Sequence, residues 1–343
     1  PLADLAAPAA AHARAGVPTN EVQAYIGSIL EGIVGERMLR EGDPFQDEEL
    51  AETIERLGAD GAAPFYSGDI AAAVLAELEP RGGALTREDL ERYEPIGRDP
   101  TRVSYRGREI LTNPPPNTGG TLLAMAMALL EEAPGEPDEV ALAYIMEVVQ
   151  ARRTPEFVSK LGSTTHISVL DGEGRACSVT CTNGEGSGVW IPGTGIHVNN
   201  IMGEEDLNPL GFFAFPPGRR MPSMMAPTVV TNPTHPSGVE LVLGSAGSNR
   251  IRSAILQTIV GVIDRGLSIR DAVNAPRLHF EAGIVFTEPG IDNHLLRTAG
   301  RTVQPFRRTN VFFGGVQAVE RDPATGTLTG AGDPRRGGAV VAA

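Results

Sequence analysis

Apolar and polar positions follow two different rhythms along the chain. In the first half the apolar residues recur at helical spacing, which predicts helices over 3–15, 22–34, 47–57, 69–78, 121–131 and 139–152, with a short one at 85–90. Gly42-Asp43-Pro44 and Gly58-Ala59-Asp60-Gly61 break the pattern, and Asp69 stands where a carboxylate caps a helix. The one hairpin expected here pairs 103–105 with 109–112 across Arg106-Gly107-Arg108. Beyond 164 the pattern turns to alternation. Strands are expected at 165–171, 175–182, 196–199, 228–232, 239–243, 283–287, 311–320 and 326–330, with helices at 249–265 and 268–274 and a short one around Leu295-Leu296. Strands grouped apart from long helices predict an α+β architecture, and no internal repeat or low-complexity linker interrupts it.

Composition narrows the class. The 343 residues suffice for one large domain or two ordinary ones, and 41% hydrophobic with 21% charged content is globular. Aromatics are only 5%, so the core must be built mainly from Ala, Val, Leu and Ile. A formal charge of −14 argues against nucleic acid as a partner, because phosphate binding needs clustered Lys and Arg. No apolar run approaches the roughly 20 residues of a membrane span, so no membrane partner is expected. No signal peptide is visible, although the chain begins at Pro1 rather than Met. Cys177 and Cys181 fall on one strand face roughly 13 Å apart, too far for a disulfide, which needs about 7 Å. They are expected to be free, small core residues, which suits a reducing compartment and a cytoplasmic location. None of the six histidines has a second ligand at metal spacing, so neither metal nor cofactor is expected.

One stretch carries chemistry. In Gly162-Ser163-Thr164-Thr165-His166-Ile167-Ser168-Val169-Leu170-Asp171 a small pair meets two threonines and a strand begins. The turn Asp171-Gly172-Glu173-Gly174 and the β-rich run 176–182 complete a hairpin, which puts Thr164 at its mouth with Thr180 and Thr182 on the paired strand. A threonine at a strand start is ordinarily just a good β-former. The sequel changes the weight: Asn183-Gly184-Glu185-Gly186-Ser187-Gly188, then Pro192-Gly193-Thr194-Gly195-Ile196-His197-Val198-Asn199-Asn200. Together with 162–182 it resembles the start of the small subunit of γ-glutamyltransferases, which are N-terminal-nucleophile (Ntn) hydrolases. The resemblance continues in family order through Pro222-Ser223-Met224-Met225-Ala226-Pro227-Thr228, Gly244–Ile251, Asn274-Ala275-Pro276-Arg277 and Gly332-Asp333-Pro334-Arg335. It covers nearly all of 164–343 and extends more weakly through 1–150.

That resemblance implies a four-layer αββα sandwich with a helical large-subunit part. Residues 1–163 would correspond to a large subunit that is longer in the family, and 164–343 to the small subunit, both cut from one precursor. The implied reaction is self-cleavage between Ser163 and Thr164, after which Thr164 serves as nucleophile and its freed α-amine as base. Thr182 matches the threonine that hydrogen-bonds the nucleophile, and Gly247 with Ser248 match the oxyanion-binding glycine pair, serine replacing the second glycine. Asn183, Ser223 and either Glu204 or Glu205 match groups that hold a γ-glutamyl head group. Two departures stand in that pocket: Met224 replaces a second serine, and Ile201 replaces an amide. The family's carboxylate-binding arginine has no counterpart. Asn113-Pro114-Pro115-Pro116-Asn117-Thr118-Gly119-Gly120 opens a helix whose N-terminus could attract an anion, but reads more simply as a rigid lead-in loop. The expected activity is transfer or hydrolysis of γ-glutamyl amides such as glutathione, with an amine or water as acceptor and a homodimer or heterotetramer as assembly. The alternatives are an amide acylase of the same fold acting on another acyl group, and a non-processing structural or binding remnant.

Overall fold

The computed structural model describes residues 1–152, 164–204, 207–208, 211–235 and 238–342. In chain order the first elements are α1 (Leu2–Ala15), β1 (Val17–Pro18), α2 (Glu21–Ile29), α3 (Glu31–Val34), β2 (Pro44–Phe45), α4 (Glu48–Asp60), α5 (Ala63–Tyr66), α6 (Asp69–Leu78) and α7 (Arg87–Glu91). Then come β3 (Thr101–Tyr105), β4 (Arg108–Thr112), α8 (Thr118–Glu132), α9 (Glu139–Gln150), β5 (Thr164–Leu170), β6 (Ala176–Thr182), β7 (Trp190–Ile191) and β8 (Ile196–His197). The last are β9 (Thr228–Thr231), β10 (Val239–Ala246), α10 (Arg250–Ile263), α11 (Ile269–Asn274), β11 (Leu278–Glu281), β12 (Ile284–Thr287), α12 (Asn293–Thr298), β13 (Thr302–Pro305), β14 (Gly315–Arg321) and β15 (Leu328–Gly332). Two compact units result: residues 1–97 with 186–200, and residues 98–185 with 201–343. The Ser163/Thr164 boundary falls within the second.

In the first unit α1 packs on α4 through Ala10, Ala13 and Ala51. Small residues let the two backbones approach: a Cβ on Gly58 would come within 2.6 Å of Ala6. Arg14 ties the pair by bonding both Glu48 and Glu55. The segment expected as one helix over 22–34 breaks at Leu30 into α2 and α3. Asp69 does not cap α6, because the cap position is Gly68; its carboxylate is held instead by Arg56, with both guanidinium nitrogens at 2.5 Å.

The second unit is layered. Its six-stranded sheet runs β15-β14-β10-β9-β4-β3, so the predicted hairpin of the first half becomes two strands of the main sheet. Helices α8, α10 and α11 cover one face around Leu123, Met127, Leu241, Leu243, Ile255 and Val316. This core is aliphatic, as the low aromatic content requires. The two-stranded sheet β5-β6 stacks on the opposite face of β10 and β14. β10 is therefore buried on both sides, with Leu241 and Leu243 toward the helices and Gly244 toward β5-β6. The strand expected over 311–320 starts late: Val311–Phe313 form a single helical turn, and Gly314, at φ 79°, redirects the chain into β14.

The β5-β6 hairpin corrects one expectation. Cys177 and Cys181 are free but exposed, not core residues. They lie with Thr165, Ile167, Val169 and Val179 on the outward face, whereas Thr164, His166, Ser168, Ser178, Thr180 and Thr182 turn toward β10. The side of the hairpin packed against the main sheet is the polar one.

Candidate active site

Antiparallel pairing sets Thr164, the first residue of β5, directly opposite Thr182, the last of β6. Their side chains meet: Thr164 Oγ1 donates to Thr182 Oγ1 at 3.2 Å, and Thr182 Oγ1 also accepts Gly184 N–H at 3.0 Å. Both residues are half-buried. One layer deeper, His166 is only 5% exposed. Its Nδ1 lies 2.7 Å from Thr180 Oγ1 and its Nε2 2.9 Å from Ser168 Oγ. Burial pushes the His166 imidazole down to about 4, so it is neutral at physiological pH.

Directional bonds fix where this hairpin sits along the main sheet. Ser168 Oγ donates to Gln317 O at 3.0 Å; Ser178 Oγ donates to Leu243 O at 3.1 Å and accepts Thr228 N–H at 3.0 Å. The His166 ring occupies a notch at Gly244, where a Cβ would stand 2.3 Å from the imidazole. At the far end of the hairpin, Arg321 donates to Asp171 O. Ser168 and Asp171 thus follow β14 from Gln317 toward Arg321, which sends Thr164 the other way, toward the end where Gly315 pairs with Ala246.

At that end β10 passes into α10 through Gly247 at φ 121° and Ser248 at φ 51°. Both angles are in the left-handed region; glycine takes it readily and serine at a cost. A Cβ on Gly247 would lie 2.8 Å from Gly314 Cα, so this turn needs glycine for space as well. The carbonyls of Gly247 and Ser248 accept the N–H groups of Arg250 and Ile251, and the first N–H groups of any helix have no acceptor within it. Asn249 Nδ2, at the start of α10, donates to the buried Glu281 at 3.0 Å. The Thr164–Thr182 hydroxyl pair and the turn thus stand at one end of the two stacked sheets, an arrangement suited to acyl transfer.

The other expected residues are placed less tightly. Asn183 follows Thr182 and is exposed, bridging to Glu185. Ser223 is half-buried; its Oγ accepts Asn117 Nδ2 at 2.6 Å, and its carbonyl accepts the N–H groups of Thr118 and Gly119. The 113–120 lead-in is therefore a structural brace for Ser223, and Asn117 also caps α8 by accepting Gly120 N–H at 3.0 Å. Met224 is 5% exposed and belongs to the aliphatic core. Glu204 ends the turn after Ile201–Gly203, where its carbonyl accepts Leu207 N–H and Asn208 Nδ2. Ser163 and Glu205 lie outside the described residues. Sequence reasoning missed His166, Asn117 and Glu281. For His166 the signal was its place on the same strand face as Thr164, two residues on.

The chain matches the family model Gamma-glutamyltranspeptidase over residues 1–156 and 138–343. It is 29% identical over 361 residues to the glutathione hydrolase proenzyme of Escherichia coli (strain K12), covering 87% of this chain and 61% of that protein. It is also 29% identical over 356 residues to the acylase ACY 1 proenzyme of Pseudomonas sp. (strain SE83), covering 90% and 63%. The chain thus spans about three fifths of the length of these relatives. Among solved structures, the cephalosporin acylase from Bacillus halodurans superposes with a TM-score of 0.81 at 25% identity, covering 99% of this chain and 74% of that one. By its family match and its two stacked sheets, the chain belongs to the gamma-glutamyltranspeptidase family of Ntn hydrolases.

Proposed function

We propose that this chain carries out acyl transfer through Thr164, freed as an N-terminus by cleavage of the Ser163–Thr164 bond. The observation that carries the reading is the hydroxyl pair Thr164–Thr182, held at 3.2 Å at the sheet end where Gly247 and Ser248 turn into α10. A threonine hydroxyl is a weak nucleophile and needs a base. In the cut chain the Thr164 α-amine supplies it, with an unperturbed pKa near ~7.7–8.0. Thr164 Oγ1 adds to the amide carbonyl while its proton passes to the amine. The amine then returns the proton to the leaving nitrogen, and water or an acceptor amine resolves the ester. Thr182 fixes the rotamer of Thr164, and the backbone N–H groups of Gly247 and Ser248 receive the developing oxyanion. The relatives named as proenzymes support subunits cut from one precursor.

For substrate, we favour γ-glutamyl amides such as glutathione, with Ser223, Asn183 and Glu204 as head-group contacts. A second reading, an acylase for another acyl group, is favoured by Met224: packed in the core, it offers no hydroxyl beside Ser223. Intact-mass spectrometry of the wild type beside Thr164→Ala tests the nucleophile. Two fragments meeting at Ser163/Thr164 in the wild type alone are expected, and one uncut mass in both would count against the reading. Turnover of γ-glutamyl against aliphatic acyl anilides then separates the two substrate classes.

A further inference from the structure

A buried network of charges lies around the turn that carries Gly247 and Ser248. Arg277 Nη2 pairs with Asp333 at 2.7 Å, Arg335 Nη1 with Asp333 at 3.2 Å, and Arg335 also binds Glu288. Arg250 pairs with Glu281 at 3.5 Å and donates through Nε to Phe312 O at 3.1 Å. Arg336 completes the set. Its stem lies over Gly315, where a Cβ would meet it at 2.8 Å, and its Nη2 donates to Val311 O at 3.2 Å. The same Nη2 stands 3.4 Å from where a Cβ on Gly247 would be.

Four guanidiniums, Arg250, Arg277, Arg335 and Arg336, therefore face three carboxylates, Glu281, Glu288 and Asp333. The unbalanced one is Arg336. It makes no ion pair among the described residues, and its Nε is buried without a partner. Burial and repulsion from Arg250 outweigh the attraction of Asp333 and lower its guanidinium to about 10, so it still carries a full charge near neutral pH. A buried cation that only the more distant charge of Asp333 offsets is costly, and an anion arriving beside it is correspondingly favoured.

We infer that Arg336 is a positioning residue for acyl transfer, its cation balancing, through the Gly247 turn, the oxyanion that forms there. The inference rests on the reading of Thr164 as nucleophile. When Thr164 Oγ1 bonds to the carbonyl carbon, the π pair moves onto the carbonyl oxygen and the hydroxyl proton goes to the α-amine. The new anion and the new ammonium balance. The substrate carbonyl is neutral before that step, so Arg336 favours the intermediate over the bound substrate and acts on kcat rather than KM.

The test compares wild type, Arg336→Gln and Arg336→Lys on the anilide that the wild type turns over, with kcat referred to the cleaved fraction. Arg336→Gln is expected to lose kcat on the order of 10- to 100-fold with little change in KM, and Arg336→Lys to keep most of it. In Arg336→Ala, low-millimolar guanidinium is expected to restore part of the rate where sodium chloride of equal ionic strength does not. A folded Arg336→Gln with wild-type kcat, or with a loss confined to KM, overturns the inference while leaving Thr164 as nucleophile. If Arg336→Gln loses its melting transition, Arg336→Lys decides: retained kcat supports the charge and lost kcat overturns it. A wild type that neither self-cleaves nor turns over any anilide refutes the nucleophile itself, and this inference with it.

Discussion

Gly244→Ala should destabilise the protein far more than one methyl group suggests. The new Cβ would stand 2.3 Å from His166 Cε1 and 2.4 Å from Nδ1. Ordinary contact needs about 3.5 Å, so the ring must move by roughly 1 Å or leave its notch. Forcing extra carbon into a filled interior costs about 1–3 kcal/mol. Displacing the ring also breaks its contacts with Thr180 at 2.7 Å and Ser168 at 2.9 Å. Each lost bond with a buried partner adds about 1 kcal/mol, for a total of about 3–5 kcal/mol. Equilibrium urea unfolding reads this out, in a Thr164→Ala background so that a single chain unfolds. A cycle with His166→Ala isolates the cause. Without the ring this clash is gone, so the double variant should be about as stable as His166→Ala alone, and the coupling energy should equal the whole Gly244→Ala loss of about 3–5 kcal/mol. A Gly244→Ala protein within about 1 kcal/mol of its parent, or a double variant whose losses simply add, would refute the packing argument.

Three further outcomes are expected. Thr182→Val removes the hydroxyl that receives Thr164 Oγ1, and should slow both self-cleavage and turnover about 10-fold or more without changing the melting temperature by more than a few degrees; unchanged rates would remove Thr182 from the site. Gly247→Ala faces both a φ of 121° and a 2.8 Å approach to Gly314, and is expected to lose self-cleavage and about 2 kcal/mol or more of stability, whereas a fully active variant would show that the turn is not constrained as described. His166 is held at about 4 when folded against ~6.5 when unfolded, so only the unfolded chain takes up its proton between these values; stability should fall by about 3 kcal/mol as pH drops from 6.5 to 4, and His166→Asn, compared by urea unfolding at both ends, should show a shallower fall.

Much of this fold was legible, but the orientation of its central hairpin was not. Asp171-Gly172-Glu173-Gly174 between two β-rich runs located β5 and β6 to within a residue, because turn chemistry is local. Alternation told which residues share a face but not which face is buried. The usual rule would bury Ile167, Val169, Val179 and both cysteines; here they are exposed, and the Thr, His and Ser positions are packed against β10. The polar face could be packed because its partners lie on distant strands, at Gln317, Leu243 and Thr228. β11 escaped notice for a related reason: His279 and Glu281 look like surface residues until Ser253 and Asn249 supply their partners. β13 pairs in parallel with β12 and ends at Pro305, and neither feature leaves a local signal. At the site, the spacing of 18 residues that sets Thr164 opposite Thr182 could be read from the hairpin, whereas Asn117 meets Ser223 across 106 residues and Arg336 meets Gly247 only after folding.

The polar seam has a physical rationale that ties the fold to the proposed chemistry. Two sheets joined by aliphatic side chains gain energy from area, and an area term changes little when one sheet slides a fraction of a residue over the other. Hydrogen bonds are lost within a few tenths of an ångström and tens of degrees. β5-β6 is a separate two-stranded sheet, so the main sheet's ladder does not set its register. Ser168, Ser178 and Arg321 set it instead, each bonded to a backbone group of β10, β14 or the hairpin end, and the His166 ring keys into Gly244. A nucleophile at the first residue of such a hairpin has its position along β10 fixed to within hydrogen-bonding tolerance. An acyl-transfer site needs that of an atom which must stand at a fixed distance from the N–H groups of the Gly247 turn. With the imidazole satisfied by Thr180 and Ser168 of its own hairpin, and Ser168 and Ser178 by backbone groups of the main sheet, the buried polar groups cost little stability and supply the positional specificity that an apolar seam between the same sheets would lack.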